Sequence, residues 1–367
     1  MSRVKSVAKT LKKEIYSQTP PSVFVGRENY PRVFTGPLLL ACENTLALKT
    51  PKEWYGHSYH EILEACSSLL RVKKKVDVRY PEKIRESVKE IALSEKPVYI
   101  EAKFSKLFAL PKFSAFFHPI GMSGKLEKIA VASNPKVSQK VEKILEDELK
   151  ASTQAIMLYE KGYDVYEISR FLSAGCMGIE KRIVPTRWSI TAADDVIANY
   201  LREKILKFPE ISEILVWSNE HLDNHFEILF IPGSWRFEQF EAWFPGSYWS
   251  MHRFSITVER ESFRGRTSYA EEQGGGYYAA RLAICEQLVK MKKQASVVVF
   301  REIYKGYVIP VGVWEIRETI RKAFEKSAEK FSSISEALKA ISQRLRVPIE
   351  EYVKRSSILS QKTLWNF

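Results

Sequence analysis

The chain has 367 residues, 45% hydrophobic and 28% charged, proportions that suit a globular protein of about two domains and exclude a disordered or fibrous one. Lys and Arg number 57 against 44 Asp and Glu, a formal net charge of +13; such a surplus draws polyanions through counterion release and makes nucleic acid the leading partner class. No apolar run approaches the ~18 residues of a membrane span, and the Lys-rich opening stretch lacks the unbroken apolar core of a secretory signal, so a cytoplasmic protein with no membrane partner is expected.

In chain order, a basic amphipathic helix comes first, then the loop Thr19–Ser22 and a short strand, Val23–Arg27. Helical periodicity follows over His60–Leu70 and over Pro81–Leu93, where Pro81 suits a first helical turn. Pro97–Phe104 alternates as a strand does, and Leu110–Asn134, rich in Pro, Gly and Ser, reads as a long ordered loop. A helix is predicted from Pro135 towards Gly162, a shorter one over Val165–Leu172, and another over Thr191–Leu206. The second half supplies strands at Ile214–Trp217, Phe226–Ile231, Phe254–Val258 and Val297–Phe300, with a helix from Gly276 to about Lys292 between the last two. Helices at Val313–Lys330 and Ile334–Leu345, and a short one ending near Arg355, complete the order. No fixed-period repeat is present, which excludes a solenoid.

The expected class is α+β: a mixed central sheet drawn mostly from the second half, surrounded by helices, with a flexible C-terminal tail. Three parts are expected: a helix-rich part at 1–180, an α+β part at 181–350 and a tail at 351–367. Cys42, Cys66, Cys176 and Cys285 are scattered without a closely spaced pair, which argues against structural zinc and a disulfide framework and for small buried hydrophobes.

The chain ends in Gln361-x-x-Leu364-x-x-Phe367. On a single helical turn residues at i and i+3 share a face, so Leu364 and Phe367 would form a two-pronged plug, while Gln361 offers an amide donor and acceptor. The spacing resembles the peptide through which replication and repair proteins bind the sliding clamp, proliferating cell nuclear antigen (PCNA). Eukaryotic versions usually end in two adjacent aromatics; here Phe367 stands with Trp365 two residues earlier. The alternative is a tail that folds back onto its own core.

Between Arg182 and Asp195, Thr191-x-x-Asp194 reads as a capping box opening a helix. Arg182 and Arg187, the hydroxyls of Ser189 and Thr191 and the helix N–H groups suit a phosphate, with Trp188 able to stack on a base. Arg27 joins this set as a further phosphate-binding candidate. A second candidate loop is Gly274-Gly275-Gly276, which enters a helix carrying Tyr277 and Arg281. Consecutive glycines let backbone approach a ligand, or let two elements pack tightly; the loop lacks the Walker and dinucleotide spacings. His221 and His225 would bind metal only if helical; they precede a strand and read as a turn, so no metal is expected. Arg317 with Glu315 or Glu318 reads as a buried structural pair, and the runs Arg71–Lys75 and Lys290–Lys293 as solvated faces available to nucleic acid.

Taken together, Phe24–Arg27 with Tyr30-Pro31 and Gly36-Pro37, Leu172–Gly175, Val184–Thr191 and Gly275–Arg281 resemble the archaeal Nre DNA repair proteins, from about Val23 to the C-terminus. The resemblance implies an archaeal cell, a role in repairing DNA damage, and clamp binding through Gln361, Leu364 and Phe367. Many such proteins begin with a cysteine-containing zinc element; with no cysteine before Cys42, DNA contacts made by that element are not carried over. The leading expectation is a repair factor at the nucleoid, recruited to PCNA by its tail, whose basic body binds DNA or a nucleotide. The alternative is an enzyme acting on nucleotide or DNA phosphates, with a pocket built from Val184–Thr191 and Gly274–Tyr278 and with Asp194 or His225 as acid–base groups. A third reading is a scaffold whose charge and glycines serve solubility and packing. The sequence assigns no cofactor.

Overall fold

Two six-stranded sheets, one from each half of the chain, organise the computed structural model, which describes residues 13–80, 82–109, 121–247, 250 and 253–360. The class is α+β as expected, but the single central sheet is replaced by two. The chain divides into two units between Ile197 and Ala198, within a long helix.

The first unit contains β1 (Glu14–Thr19), β2 (Val23–Val25), β3 (Arg32–Leu40), β4 (Leu69–Asp77), β5 (Val98–Ala109) and β6 (Ser123–Val131). Its helices are α1 (Tyr59–Ser67), α2 (Lys83–Leu93), α3 (Gln139–Glu146), α4 (Ala151–Glu160) and α5 (Val165–Ser173), followed by the start of α6 (Thr186–Ile205). The strands lie in the order β1-β5-β6-β4-β3-β2, parallel between β4 and β6 and antiparallel elsewhere. β1 also returns to β3: the Ser17 hydroxyl donates to the Leu40 carbonyl at 2.7 Å and the Thr19 hydroxyl to the Leu38 carbonyl at 3.0 Å. Five strands thereby close around Val33, Leu39, Leu70, Val72, Ile100, Phe104 and Leu126, all buried. Gly36 lets β3 lie close over β4, because a Cβ there would lie 2.2 Å from the Val72 carbonyl oxygen.

Several elements of this half depart from expectation. Glu14–Thr19 is a strand, because six consecutive residues pair with β5; residues 1–12 of the predicted opening helix lie outside the described residues. The predicted loop Leu110–Asn134 contains β6, whose buried Gly124 and Leu126 alternate with exposed Lys125 and Glu127; residues 110–120, and Pro81, lie outside the described residues. The helix expected through Leu70 stops at Ser67, and Leu69 begins β4. Arg71 is buried beside Phe24, its guanidinium 4.1 Å from the ring centre, so that basic run is not wholly a solvated face.

The second unit carries β7 (Ile214–His221), β8 (Asn224–Ile231), β9 (Arg236–Trp243), β10 (Ser255–Glu261), β11 (Ser296–Ile303) and β12 (Glu329–Phe331). Its order is β10-β9-β11-β8-β7-β12, with β11 and β9 parallel. α7 (Gly275–Met291) and α8 (Trp314–Ala323) pack together, and α8 against β7. α9 (Ile334–Ser342) and α10 (Ile349–Val353) pack on a core that includes Leu229, Phe240, Phe300, Ile341 and Tyr352. The Phe240, Phe300 and Tyr352 rings meet at 5.1–5.8 Å. The helix predicted over Val313–Lys330 ends at Ala323, since residues 329–331 pair with β7. β9 was not predicted at all: its buried Glu238, Gln239 and Glu241 hide the apolar alternation of a strand.

Those buried carboxylates are engaged. Arg301 on β11 donates to Glu241 at 2.7 Å, to Asn224 Oδ1 at 2.6 and 3.1 Å and, at 3.5 Å, to Glu315 at the start of α8. Glu238 accepts from the Ser356 and Ser357 hydroxyls and from the amides of Ser357 and Ile358, at 2.7 and 3.2 Å for the two amides. Glu302 takes the amides of Arg346 and Val347 at 2.8 and 2.9 Å and the Tyr352 hydroxyl at 3.0 Å. Burial lifts the Glu315 carboxyl from 4.5 to about 7, against the opposing pull of Arg301 and Thr319. Between those values the unfolded chain has lost this proton and the folded one keeps it, so stability falls as pH rises through the window. Denaturant titrations at pH 5 and pH 8 should show that fall in the wild type and a smaller one in Glu315→Gln.

Candidate nucleic-acid interface

The Thr186 side chain organises the exposed surface of the first unit. Its Oγ1 accepts the Val25 amide at 2.9 Å and lies 3.1 Å from the Ser173 hydroxyl, which itself donates to the Val184 carbonyl at 3.0 Å. Thr186 thus ties the start of α6 to β2 and to the end of α5. Gly175, with φ +74°, makes the approach possible: a Cβ there would lie 2.8 Å from the Ile183 nitrogen. Two residues beyond Thr186, Trp188 meets Tyr30 of the turn after β2, ring centres 5.2 Å apart and tilted by 52°. Both rings are about half exposed, Tyr30 at 49% and Trp188 at 44%. Exposed large aromatics brought together on a cationic surface suit stacking against bases.

Guanidiniums flank the pair. Arg187 is exposed beside Trp188, and Arg27, also exposed, belongs to the turn in which the Tyr30 amide reaches the Arg27 carbonyl. Arg79 holds Asp77 through two bonds of 2.9 and 2.8 Å and lies 5.5 Å from the Tyr80 ring. The Asp77 carboxyl is driven down to about 2, first by the Arg79 side-chain hydrogen bond. It is therefore ionised and already committed to arginine. The amides that open α6 add a partial positive charge beside Arg187.

The other members of the predicted phosphate set lie elsewhere. α6 begins at Thr186, so Thr191 is inside the helix and caps nothing: its hydroxyl donates to the Arg187 carbonyl at 3.3 Å. This corrects the expected capping box; the helix instead starts directly after Pro185. Ser189 is buried, with its hydroxyl on the Thr186 carbonyl at 2.9 Å, and Asp194 is buried too. Arg182 is exposed and pairs with Glu180 at 2.8 Å.

The glycine-rich segment belongs to the second unit. Gly274 has φ +54°, and a Cβ on Gly276 would meet Glu241 Oε1 at 2.9 Å and Ile316 Cδ1 at 3.1 Å, so the close approach there is to the protein's own side chains. Tyr277 and Arg281 are buried, and Arg281 lies 2.9 Å from Glu261 and donates to Asn199 at 2.8 Å. His221 and His225 flank a two-residue hairpin turn, Leu222-Asp223, with φ values of +49° and +58°. Burial disfavours the charged form of His225, but Glu227 at 2.8 Å and Glu220 at 3.3 Å outweigh it and raise its pKa. Among the described residues, no group of three or more His, Cys, Asp and Glu is arranged to hold a metal ion. Nor is any described helix long and apolar enough to cross a membrane.

One feature of this unit escaped the sequence reading. Arg236, Arg260 and Arg266 line a cleft of about 700 Å³ with Glu259, Glu261 and Ser357, and Phe263 and Tyr269 stand half exposed on the loop that borders it. Arg266 is held by Glu259 at 2.6 Å and Arg260 donates to the Arg355 carbonyl at 2.8 Å. The run Phe263-Arg264-Gly265-Arg266, an aromatic beside alternating arginine and glycine, was the available signal.

Residues 1–250 match the family described as Archaeal Nre, N-terminal, and residues 261–367 the family described as Archaeal Nre, C-terminal. The chain is 36% identical over 358 residues to DNA repair protein NreA of Archaeoglobus fulgidus, covering 96% of this chain and 90% of the relative. It is 34% identical over 375 residues to DNA repair protein NreB of the same organism, covering 98% and 93%. To DNA repair protein NreA of Haloferax volcanii it is 33% identical over 361 residues, covering 94% and 86%. No solved structure matches the chain. Matched along both halves and over nearly its whole length, the chain belongs to the archaeal Nre family.

Proposed function

We propose that this chain is a DNA repair factor of the archaeal cytoplasm, associated with the nucleoid, whose basic body binds DNA and whose tail recruits it to PCNA. The observation that carries the DNA-binding part is the exposed Tyr30–Trp188 pair with Arg27 and Arg187 beside it. Exposed rings on which bases can stack give sequence-tolerant contact, and exposed guanidiniums give contact with phosphates. The net charge of +13 and relatives named as DNA repair proteins support the same reading. A bound nucleotide would use the same chemistry, but the rings and guanidiniums lie on an open surface, which suits a polymer better than an enclosed small molecule.

The clamp peptide, Gln361, Leu364, Trp365 and Phe367, lies outside the described residues. Its point of departure supports a recruiting role. Ile358 is buried and its amide is held by Glu238, so the chain is fastened three residues before Gln361. Leu364, Trp365 and Phe367 give the end of the chain apolar side chains for a partner's groove.

Removing residues 361–367 should abolish binding to purified PCNA in a pull-down or calorimetric titration and leave the melting temperature unchanged. Loss of folding in that truncation would instead mean a tail that packs on its own body. Cutting after Arg355 removes Ile358 and strips partners from Glu238, which should cost about 2–5 kcal/mol in a denaturant titration.

For the body, Trp188→Ala should weaken binding to a labelled oligonucleotide about 5- to 100-fold in fluorescence anisotropy, the range of one lost stacking contact. Arg187→Ala should lower the slope of log affinity against log salt by about 0.7–0.9. Unaltered binding in both variants would exclude this surface.

A further inference from the structure

The strands of the first unit carry more information than their exposed side chains. Counting β1, β3, β4, β5 and β6 as first to fifth, the closed order is first, second, third, fifth, fourth and back to first. The third and fifth strands are parallel, and one helix, α2, lies between the third and the fourth. That is the Greek-key path of the oligonucleotide/oligosaccharide-binding barrel, in which the outer face of the second and third strands and the loop joining the first two hold the ligand.

The same face here has the chemistry of a strand-binding track. Side chains on paired strands alternate between core and surface, and Val33, Val72 and Val76 point inward. Outward, Phe34 opposes Lys75, Arg32 opposes Asp77 and Lys73 lies beside Lys125 of β6. Phe34 is 36% exposed, Lys75 and Lys125 are exposed, and Asp77 is taken up by Arg79 and Arg32. The loop between the first two barrel strands, residues 20–31, carries Arg27 and Tyr30, and Tyr30 leads on to Trp188.

We propose that this barrel binds single-stranded DNA along a track of Trp188, Tyr30, Arg32, Phe34, Lys75 and Lys73. The inference rests on the body being a DNA binder and names the form of DNA and the face. Unpaired bases expose both ring faces to Phe34, Tyr30 and Trp188, whereas a duplex presents phosphates with its bases already stacked. Arg32, Lys75 and Lys73 beside the rings give a backbone path.

The test uses the full chain with a labelled oligo(dT) of about 15 nucleotides, the matching duplex and the matching RNA strand, at several salt concentrations. Single-stranded DNA should bind at least tenfold more tightly than the duplex. Phe34→Ala should weaken single-strand binding about 5- to 100-fold, and Lys75→Glu should weaken it and lower the salt slope. Lys75 is exposed, so Lys75→Glu should keep the wild-type melting temperature; Phe34 is about two-thirds covered, so Phe34→Ala should melt lower, and its binding is read well below that transition, which separates loss of contact from loss of fold. Equal affinity for duplex, tighter binding of RNA, or unaltered binding in both variants while Trp188→Ala still weakens it would overturn the proposal and leave the DNA-binding reading standing. No binding of any DNA by the wild type would overturn both.

Discussion

A single hydroxyl sets the geometry of the first unit's exposed surface. Thr186 accepts the amide of Val25 while sharing a hydrogen bond with Ser173, so the start of a 20-residue helix, a three-residue strand and the end of another helix converge on one oxygen. A strand of three residues has little pairing of its own to hold it. With the joint in place, the turn after β2 is presented against the first turn of α6, and that places Tyr30 beside Trp188. Valine, similar in shape, would supply no acceptor for the Val25 amide, and a buried unpaired amide costs about 1–3 kcal/mol. The short strand and its turn would be the first parts to loosen.

The second unit depends on charge in an apolar setting. Glu238, Glu241 and Glu302 are nearly or fully buried, and each meets donors from a segment distant in sequence. A buried carboxylate without partners is far too costly to persist, so each one fixes its partner segment in place. Glu238 and Glu302 fix the stretch from Arg346 to Ile358 on the sheet. Glu241, through Arg301, links β9 to β11, and Arg301 reaches Glu315 at the head of α8. The absence of a side chain at Gly276 belongs to the same arrangement, since it leaves room for the Glu241 carboxylate beside the helix.

These facts explain what could be read in the sequence. Strands with plain apolar stretches, such as Phe226–Ile231 and Val297–Phe300, were legible from composition, as was α5 from its helical period. β9 was not, because buried Glu238 and Glu241 interrupt its apolar residues and only the distant partners make that tolerable. β1 was lost because lysine-rich sequence around it has helical spacing, and the pairing that decides the matter comes from β5, about 80 to 90 residues away. At the exposed surface, Arg27, Arg187 and Trp188 were legible as residue types, but Tyr30 entered only as part of a motif. Its role as a neighbour of Trp188 depends on a fold contact across more than 150 positions. The barrel face was hidden for the same reason: Arg71–Lys75 reads as one basic run, and on the face that Arg71, Lys73 and Lys75 share only the packing of distant Phe24 buries Arg71 and leaves Lys75 exposed.

The fastening of Ser356–Ile358 by Glu238 also sets a length. From Ser360, the last described residue, four peptide units lead to Leu364 and seven to the end of the chain. At no more than about 3.6 Å per residue, those spans cannot exceed about 14 and 25 Å in any conformation. A partner that grips Leu364 must therefore come within a helix diameter or so of the second unit. Under the proposed clamp binding the peptide would be a short leash: it would restrict where its owner is found instead of widening the volume it searches, and would raise the local concentration of the body beside whatever the clamp encircles. A longer tail would trade that confinement for reach.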